Sequence, residues 1–439
     1  RTPPVLTGAD ITLPIVEAAV QILPGEKTRM WTFGGEFPGP TIRRPAGETT
    51  LVTFDHRIQA ADTLTIHHHG HHTASIDDGQ PTREVIEPGT SRLYTYEHVE
   101  EGAPLRAAMR WYHDHSHGRT NRNSWMGLMG LFVIDDPAEA DLGLPTADRE
   151  LLLVVTDRTF GEETNQLTNP FDVSDPGADA VGSGDTILVN GVPQPYVEVL
   201  PTRYRIRILV AAAFRYYNLG FAAGPELVQV GTESGLLPAA VTRERVLLGP
   251  AERADLVVDF SAYANQALVL SSGPEDPEVR RLPGSVVPAE ADVMQFRVSG
   301  GTVASVLPAS ELRALPDWVA DLRAEADRVF AFGIGIDPET LRRVWTINGR
   351  TFDHEHVAAR PELGSTETWL LVNLTHGTHS IHIHDVDWKM VSRNGSPPDP
   401  AEAGLKETFR LDPGDLLAVG AKFTDHLGPY MIHCHMLSH

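Results

Sequence analysis

Seven pairs of the form His-x-His occur in this 439-residue chain. Random scattering of its 20 histidines would give about 0.9 such pairs. Ten histidines lie from His56 to His117 and ten from His354 to His439, with none in the 236 residues between. Four pairs sit in segments that read as strands or strand ends: His67/His69 after TLTI, His113/His115 after RWY, His382/His384 after HSI, and His433/His435 after GPYMI. Residues i and i+2 of a strand share a face, so each pair projects two imidazoles in one direction. Neutral imidazole suits copper, zinc, iron and nickel, and eight exceed what one four-coordinate ion uses. The chemistry expected is a polynuclear metal centre.

Cys434, the single cysteine, lies between His433 and His435 and so faces the opposite side of that strand. His439 and His379 are placed to join it, and two imidazoles with one thiolate make the trigonal set of a blue-copper electron-transfer centre.

These residues resemble the multicopper oxidases. The carrying segments are His67-His68-His69-Gly70, His113-Asp114-His115, His379-Ser380-Ile381-His382-Ile383-His384, and His433-Cys434-His435 with His439. Stretches such as WYHDHSHG, MGLMGLFVIDDP, ILVNGVPQPYVEV and VSRNG are similar to the branch of bacterial spore-coat laccases, bilirubin oxidases and phenoxazinone synthases. The resemblance implies four copper ions. Type 1 copper would take His379, Cys434 and His439, type 2 copper His67 and His382, and the type 3 pair His69, His113, His115, His384, His433 and His435. It also implies a proton-delivering aspartate after the first segment, either Asp78 or Asp77, with Asp78 favoured. Asp114, between two ligands, reads equally well as a structural hydrogen-bonding group. Ser438 stands where this branch often carries Glu, and the type 1 axial ligand would follow His439.

The other histidines read as background. His69/His71 and His115/His117 overlap ligand pairs, and His354/His356 reads as a solvated loop pair, with an accessory metal as the alternative. His56, His68, His72, His98, His376 and His426 are expected to be structural or surface residues.

The elements that must position these groups are strands. GETTLVTFDHRI, TRYRIRILVAAAF and STETWLLVNLT alternate in polarity, each follows a Pro- or Gly-rich turn segment, and they recur at roughly 150-residue spacing. The expected fold is all-β, as sandwiches or barrels. The resemblance implies three cupredoxin-like Greek-key domains: 1–147 with trinuclear ligands, 148–305 without ligands, and 306–439 with a linker helix, type 1 and trinuclear ligands. The middle of SELRALPDWVADLRAEADR is the candidate linker helix.

Composition excludes other classes. A hydrophobic share of 41% is that of a globular chain, and no apolar run approaches the roughly 18 residues of a membrane span. The net charge of -23 disfavours nucleic acid and anionic lipid as partners. One cysteine permits no internal disulfide. The visible start, Arg1, lacks a basic-then-apolar leader, so localisation stays open, leaning to a secreted or extracytoplasmic site. The resemblance implies an oxidase that takes single electrons from a small aromatic substrate, phenolic or aminophenolic, and reduces dioxygen to water. Oxidation of cuprous or manganous ions is the alternative, and a non-catalytic copper-binding protein a lesser one. The oligomeric state is not legible.

Overall fold

A computed structural model of the chain describes residues 2–168, 183–273, 290–301, 303, 309, 311–339, 341 and 343–436. Alternation makes its strands one-sided. In Thr49–His56 the side chains of Thr50, Val52, Phe54 and His56 are buried, while the intervening positions are partly exposed. Such strands must pair their apolar faces across a second sheet.

Three two-sheet sandwiches result. A five-stranded and a four-stranded sheet enclose Ile15, Phe33, Phe54, Tyr94, Tyr112 and Phe132. A seven-stranded and a five-stranded sheet enclose Val155, Ile206, Val258, Phe260 and Phe296. A six-stranded and a three-stranded sheet enclose Phe330, Trp369, Ile381, Trp388 and Phe409. The chain is all-β and cupredoxin-like, with few and short helices.

The three alternating segments of the sequence occupy equivalent places. Thr49–His56, Arg203–Val210 and Thr366–Asn373 each pair in parallel with an earlier strand, Asp10–Val20, Glu150–Arg158 and Arg328–Ile336 respectively. Each also pairs antiparallel with a later strand, Ser91–Glu97, Arg253–Asp259 and Leu416–Lys422. The candidate linker helix is a 3-10 turn over Asp317–Asp321. One detail departs from simple alternation: Arg205 and Arg207 of the second segment are buried rather than solvated. They face carboxylates instead: Arg205 donates to Asp255 and Glu139, and Arg207 forms an ion pair with Glu150.

Candidate metal centre

Two antiparallel ladders carry the histidine pairs. Ile66–His69 lies against Ala108–Asp114 with His67 opposite His113 and His69 opposite Trp111. His379–Ile383 lies against Ile432–Cys434 with His382 opposite His433. Residues directly opposite in a ladder share a face, so each ladder gathers its imidazoles on one side. The two histidine faces meet: the His69 and His382 rings stack at 3.7 Å, and those of His67 and His384 at 3.9 Å. Side-chain nitrogens of His67, His69 and His113 come within 4.8 Å of one another. The same holds for the trios His67, His382, His384 and His115, His384, His433. His435 joins through its backbone N–H, which donates to the Ser380 carbonyl at 2.5 Å, and its ring lies 4.9 Å from that of His69.

Burial, reinforced by neighbouring imidazoles, holds His69, His113, His115, His382 and His435 well below the usual histidine range. Burial and its neighbours likewise bring His384 down to about 4 and His433 to about 3. The rings are therefore neutral, each with one lone pair. Hydrogen bonds fix which nitrogen holds it. Nδ1–H of His67 donates to the Asp78 carbonyl (2.6 Å), His113 to the Asp114 carbonyl (2.8 Å), and His382 to the Glu407 carbonyl (3.0 Å). His433 donates to the Cys434 carbonyl (3.0 Å), and His384 to the Asp78 carboxylate (2.8 Å). The bare Nε2 atoms then face each other, His67 to His382 at 3.3 Å and His384 to His433 at 3.2 Å. Facing lone pairs repel unless a cation lies among them. Nε2 of His113 and both nitrogens of His435 have no hydrogen-bond partner. This donor set fits a cluster of imidazole-binding metal ions such as copper.

On the other face of the same strand, Cys434 Sγ lies 3.3 Å from His379 Nδ1, while His379 Nε2 meets Thr375 Oγ1 at 2.8 Å. Burial pushes the Cys434 thiol up to about 12 and brings His379 down to about 4. A thiolate here requires a cation beside it, and a soft thiolate with imidazole fits copper. His439, expected to complete this set, lies outside the described residues.

Asp78 is fully buried, with Oδ2 accepting from His384 Nδ1 (2.8 Å) and Gln80 Nε2 (2.8 Å). Its Oδ1 makes no hydrogen bond and lies 3.4 Å from His67 Nδ1. Burial alone would raise its carboxyl, but His384 and His67 beside it hold it below the usual carboxylate range. Asp77 instead faces Arg92 at 3.8 Å. Asp114 turns away from the cluster and accepts from Ser116 Oγ (2.6 Å) and Asn123 Nδ2 (2.9 Å).

The remaining histidines divide by surroundings. His68 stacks on His71 at 4.3 Å, His71 Nε2 meets His98 Nδ1 at 2.9 Å, and His98 Nε2 meets Thr50 Oγ1 at 2.8 Å, all inside the first sandwich. His72 contacts Asp385 (2.9 Å) and Asp425 (3.2 Å). His354 and His356 are exposed. Sequence reasoning missed Glu407, whose Oε1 lies 3.2 Å from His69 Nε2. A lone Glu inside LKETFRL carries no spacing signal.

Comparison with known proteins agrees with this donor chemistry. Two family models described as "Multicopper oxidase" match residues 15–139 and 334–439. A laccase of Bacillus subtilis (strain 168) is 31% identical, covering 94% of this chain and 88% of its own length. A bilirubin oxidase of Albifimbria verrucaria is 32% identical over 93% of this chain and 70% of its own. The crystal structure of a laccase from Pediococcus acidilactici Pa5930 superposes with a TM-score of 0.84 at 28% identity, covering 100% of this chain and 90% of that one. Proteins of this family bind four copper ions of types 1, 2 and 3, with which the histidine clusters are compatible. Likeness of sequence, fold and donor set over nearly the whole chain leaves one conclusion: it belongs to the multicopper oxidase family and is a laccase-like oxidoreductase.

Proposed function

We propose that the chain oxidises phenolic or aminophenolic donors one electron at a time and reduces dioxygen to water. The relatives named laccase and bilirubin oxidase support an aromatic donor. The observation that carries the reading is the convergence of bare imidazole nitrogens between two ladders, with Cys434 on the reverse face of one of them.

In this proposal His379 and Cys434, with His439, hold the type 1 copper; His67 and His382 hold the type 2 copper; His69, His113, His115, His384, His433 and His435 hold the type 3 pair. The units are 1–147, 148–305 and 306–439, the middle one giving no ligand. When bound, the coppers supply one-electron acceptance from the donor and four-electron reduction of dioxygen. The chain supplies geometry and protons. Cys434 links the two sites through a single residue on each side, so electrons need not leave the strand. Asp78 fixes the His384 ring through Oδ2, and its unpaired Oδ1 is an acceptor through which a proton can pass beside the cluster. The net charge of -23 favours cationic donors, which keeps cuprous or manganous ions as the second reading.

Copper-loaded protein is expected to absorb strongly in the red from a thiolate-to-copper transition. Cys434→Ser should lose that band and phenol oxidation while keeping part of the copper; phenol oxidation retained by this variant would reject the mechanism. Oxygen uptake compared across an aminophenol, a simple phenol, bilirubin, Cu(I) and Mn(II) selects the donor, and uptake with only the metal ions would overturn the aromatic reading.

A further inference from the structure

The segment without candidate ligands nevertheless reaches the cluster through one guanidinium. Arg253 opens the strand Arg253–Asp259 and is almost fully buried. Its Nη1 donates to Glu407 Oε1 and to the Ala251 carbonyl, and its Nε to the Met109 carbonyl at 3.2 Å. Met109 belongs to the strand that ends at His113 and Asp114. One side chain therefore touches all three sandwiches at the level of the histidine ladders.

Glu407 is what it holds. The Glu407 carbonyl accepts Nδ1–H of His382 at 3.0 Å, and its Oε1 lies 3.2 Å from Nε2 of His69. His69 Nε2 also lies 3.1 Å from Thr408 Oγ1, and its Nδ1 has no partner. His69 is thus turned the opposite way from His67, His113, His382, His384 and His433, which spend Nδ1 on hydrogen bonds. Ser234 Oγ, also from the middle segment, donates to Glu407 Oε2 at 3.2 Å. Gly70 has φ +80°, and a Cβ there would meet Arg253 Nη2 at 2.7 Å and the Glu407 carboxylate at 3.1 Å. The glycine after the three histidines is required because this ion pair packs against it.

We propose that Arg253 is a positioning residue for the copper cluster: it fixes the Glu407 carboxylate, which holds the His69 ring in the orientation that leaves Nδ1 free to bind metal. A flexible ammonium cannot replace a planar fork that donates in several directions at once. A buried carboxylate released by its guanidinium would no longer hold the ring. The inference rests on the assignment of His69 to the type 3 pair, and the experiment separates the two.

Arg253→Lys and Glu407→Gln are to be copper-loaded and compared with wild type and with His69→Ala. The readouts are copper per chain, the red thiolate band, the near-ultraviolet and electron-paramagnetic signatures of the coupled type 3 pair, and the unfolding temperature of the metal-free proteins. Arg253→Lys and Glu407→Gln are expected to keep the red band while losing the type 3 coupling and at least one copper per chain, and the metal-free unfolding temperature reads separately the folding cost of the broken buried pair. Equal loss of red band and coupling, or no loss of either, would overturn the positioning role. If His69→Ala keeps an intact type 3 signature, the ligand assignment has failed instead, and the inference falls with it.

Discussion

In the proposed function Asp78 would separate proton supply from metal binding, because its two oxygens have different partners. Oδ2 is committed to His384 and Gln80, while Oδ1 has no hydrogen bond. Asp78→Asn keeps the shape and an oxygen near His384 but removes the proton carrier. General acid–base groups contribute roughly 100-fold or more. Reoxidation of the reduced enzyme by dioxygen, followed by stopped-flow return of the red band, should slow by about that factor in the variant. The band itself should remain, since Cys434 and His379 lie on the other face of the strand. Reoxidation at the wild-type rate would remove Asp78 from the proton path. The sequence placed both Asp77 and Asp78 near the first segment; only the turn at Ser75–Asp77 sends one carboxylate inward and the other to Arg92.

At the scale of elements, the loops after the ladders lock the first sandwich to the third. His72 sits between Asp385 and Asp425 with both nitrogens engaged, and its ring lies 4.4 Å from that of His426. Burial opposes its charge, but the bonds and charge of Asp385, helped by Glu100 and Asp425, outweigh it and raise His72 to about 9 from 6.5. A raised histidine contributes stability fully below its unfolded value of 6.5 and loses it as pH climbs through 9. The contribution is on the order of 3 kcal/mol. Denaturant unfolding of wild type and His72→Asn should differ most at or below pH 6.5, and the gap should close by roughly pH 10. A gap that stays constant across that range would contradict the lock. Nothing in the spacing of His72 distinguishes it from the candidate ligands beside it, because its partners are more than 300 residues away.

Taken whole, the molecule joins two remote sets of candidate ligands. Metal bound between the first and third sandwiches stabilises the native state by mass action, about 4 kcal/mol for an ion present at 1,000 times its Kd. Stripping copper with a chelator should therefore lower the unfolding temperature by several degrees, read by calorimetry, and reloading should restore it. An unchanged transition would mean the ions do not bridge the sandwiches. The charge of -23 also acts at this scale. KM for a cationic aromatic donor should rise with salt over roughly one Debye length of screening, and that for an anionic donor should fall.

The sequence by itself determined the strands, their threefold recurrence, and the metal-binding pattern of four His-x-His pairs with one cysteine. These are properties of local alternation and residue type, and both are written in single segments. Tertiary structure decided what depends on non-local approach. Which nitrogen of each ring is bare follows from acceptors such as the Asp78 and Glu407 carbonyls, 11 and 25 residues from the rings they fix. Burial of Arg205 and Arg207 follows from carboxylates on neighbouring elements, and the reach of Arg253 to Glu407 spans 154 residues. Hydrogen-bond partners of that kind leave no periodic mark, since any Arg or Glu at those positions reads alike until the sheets close around it.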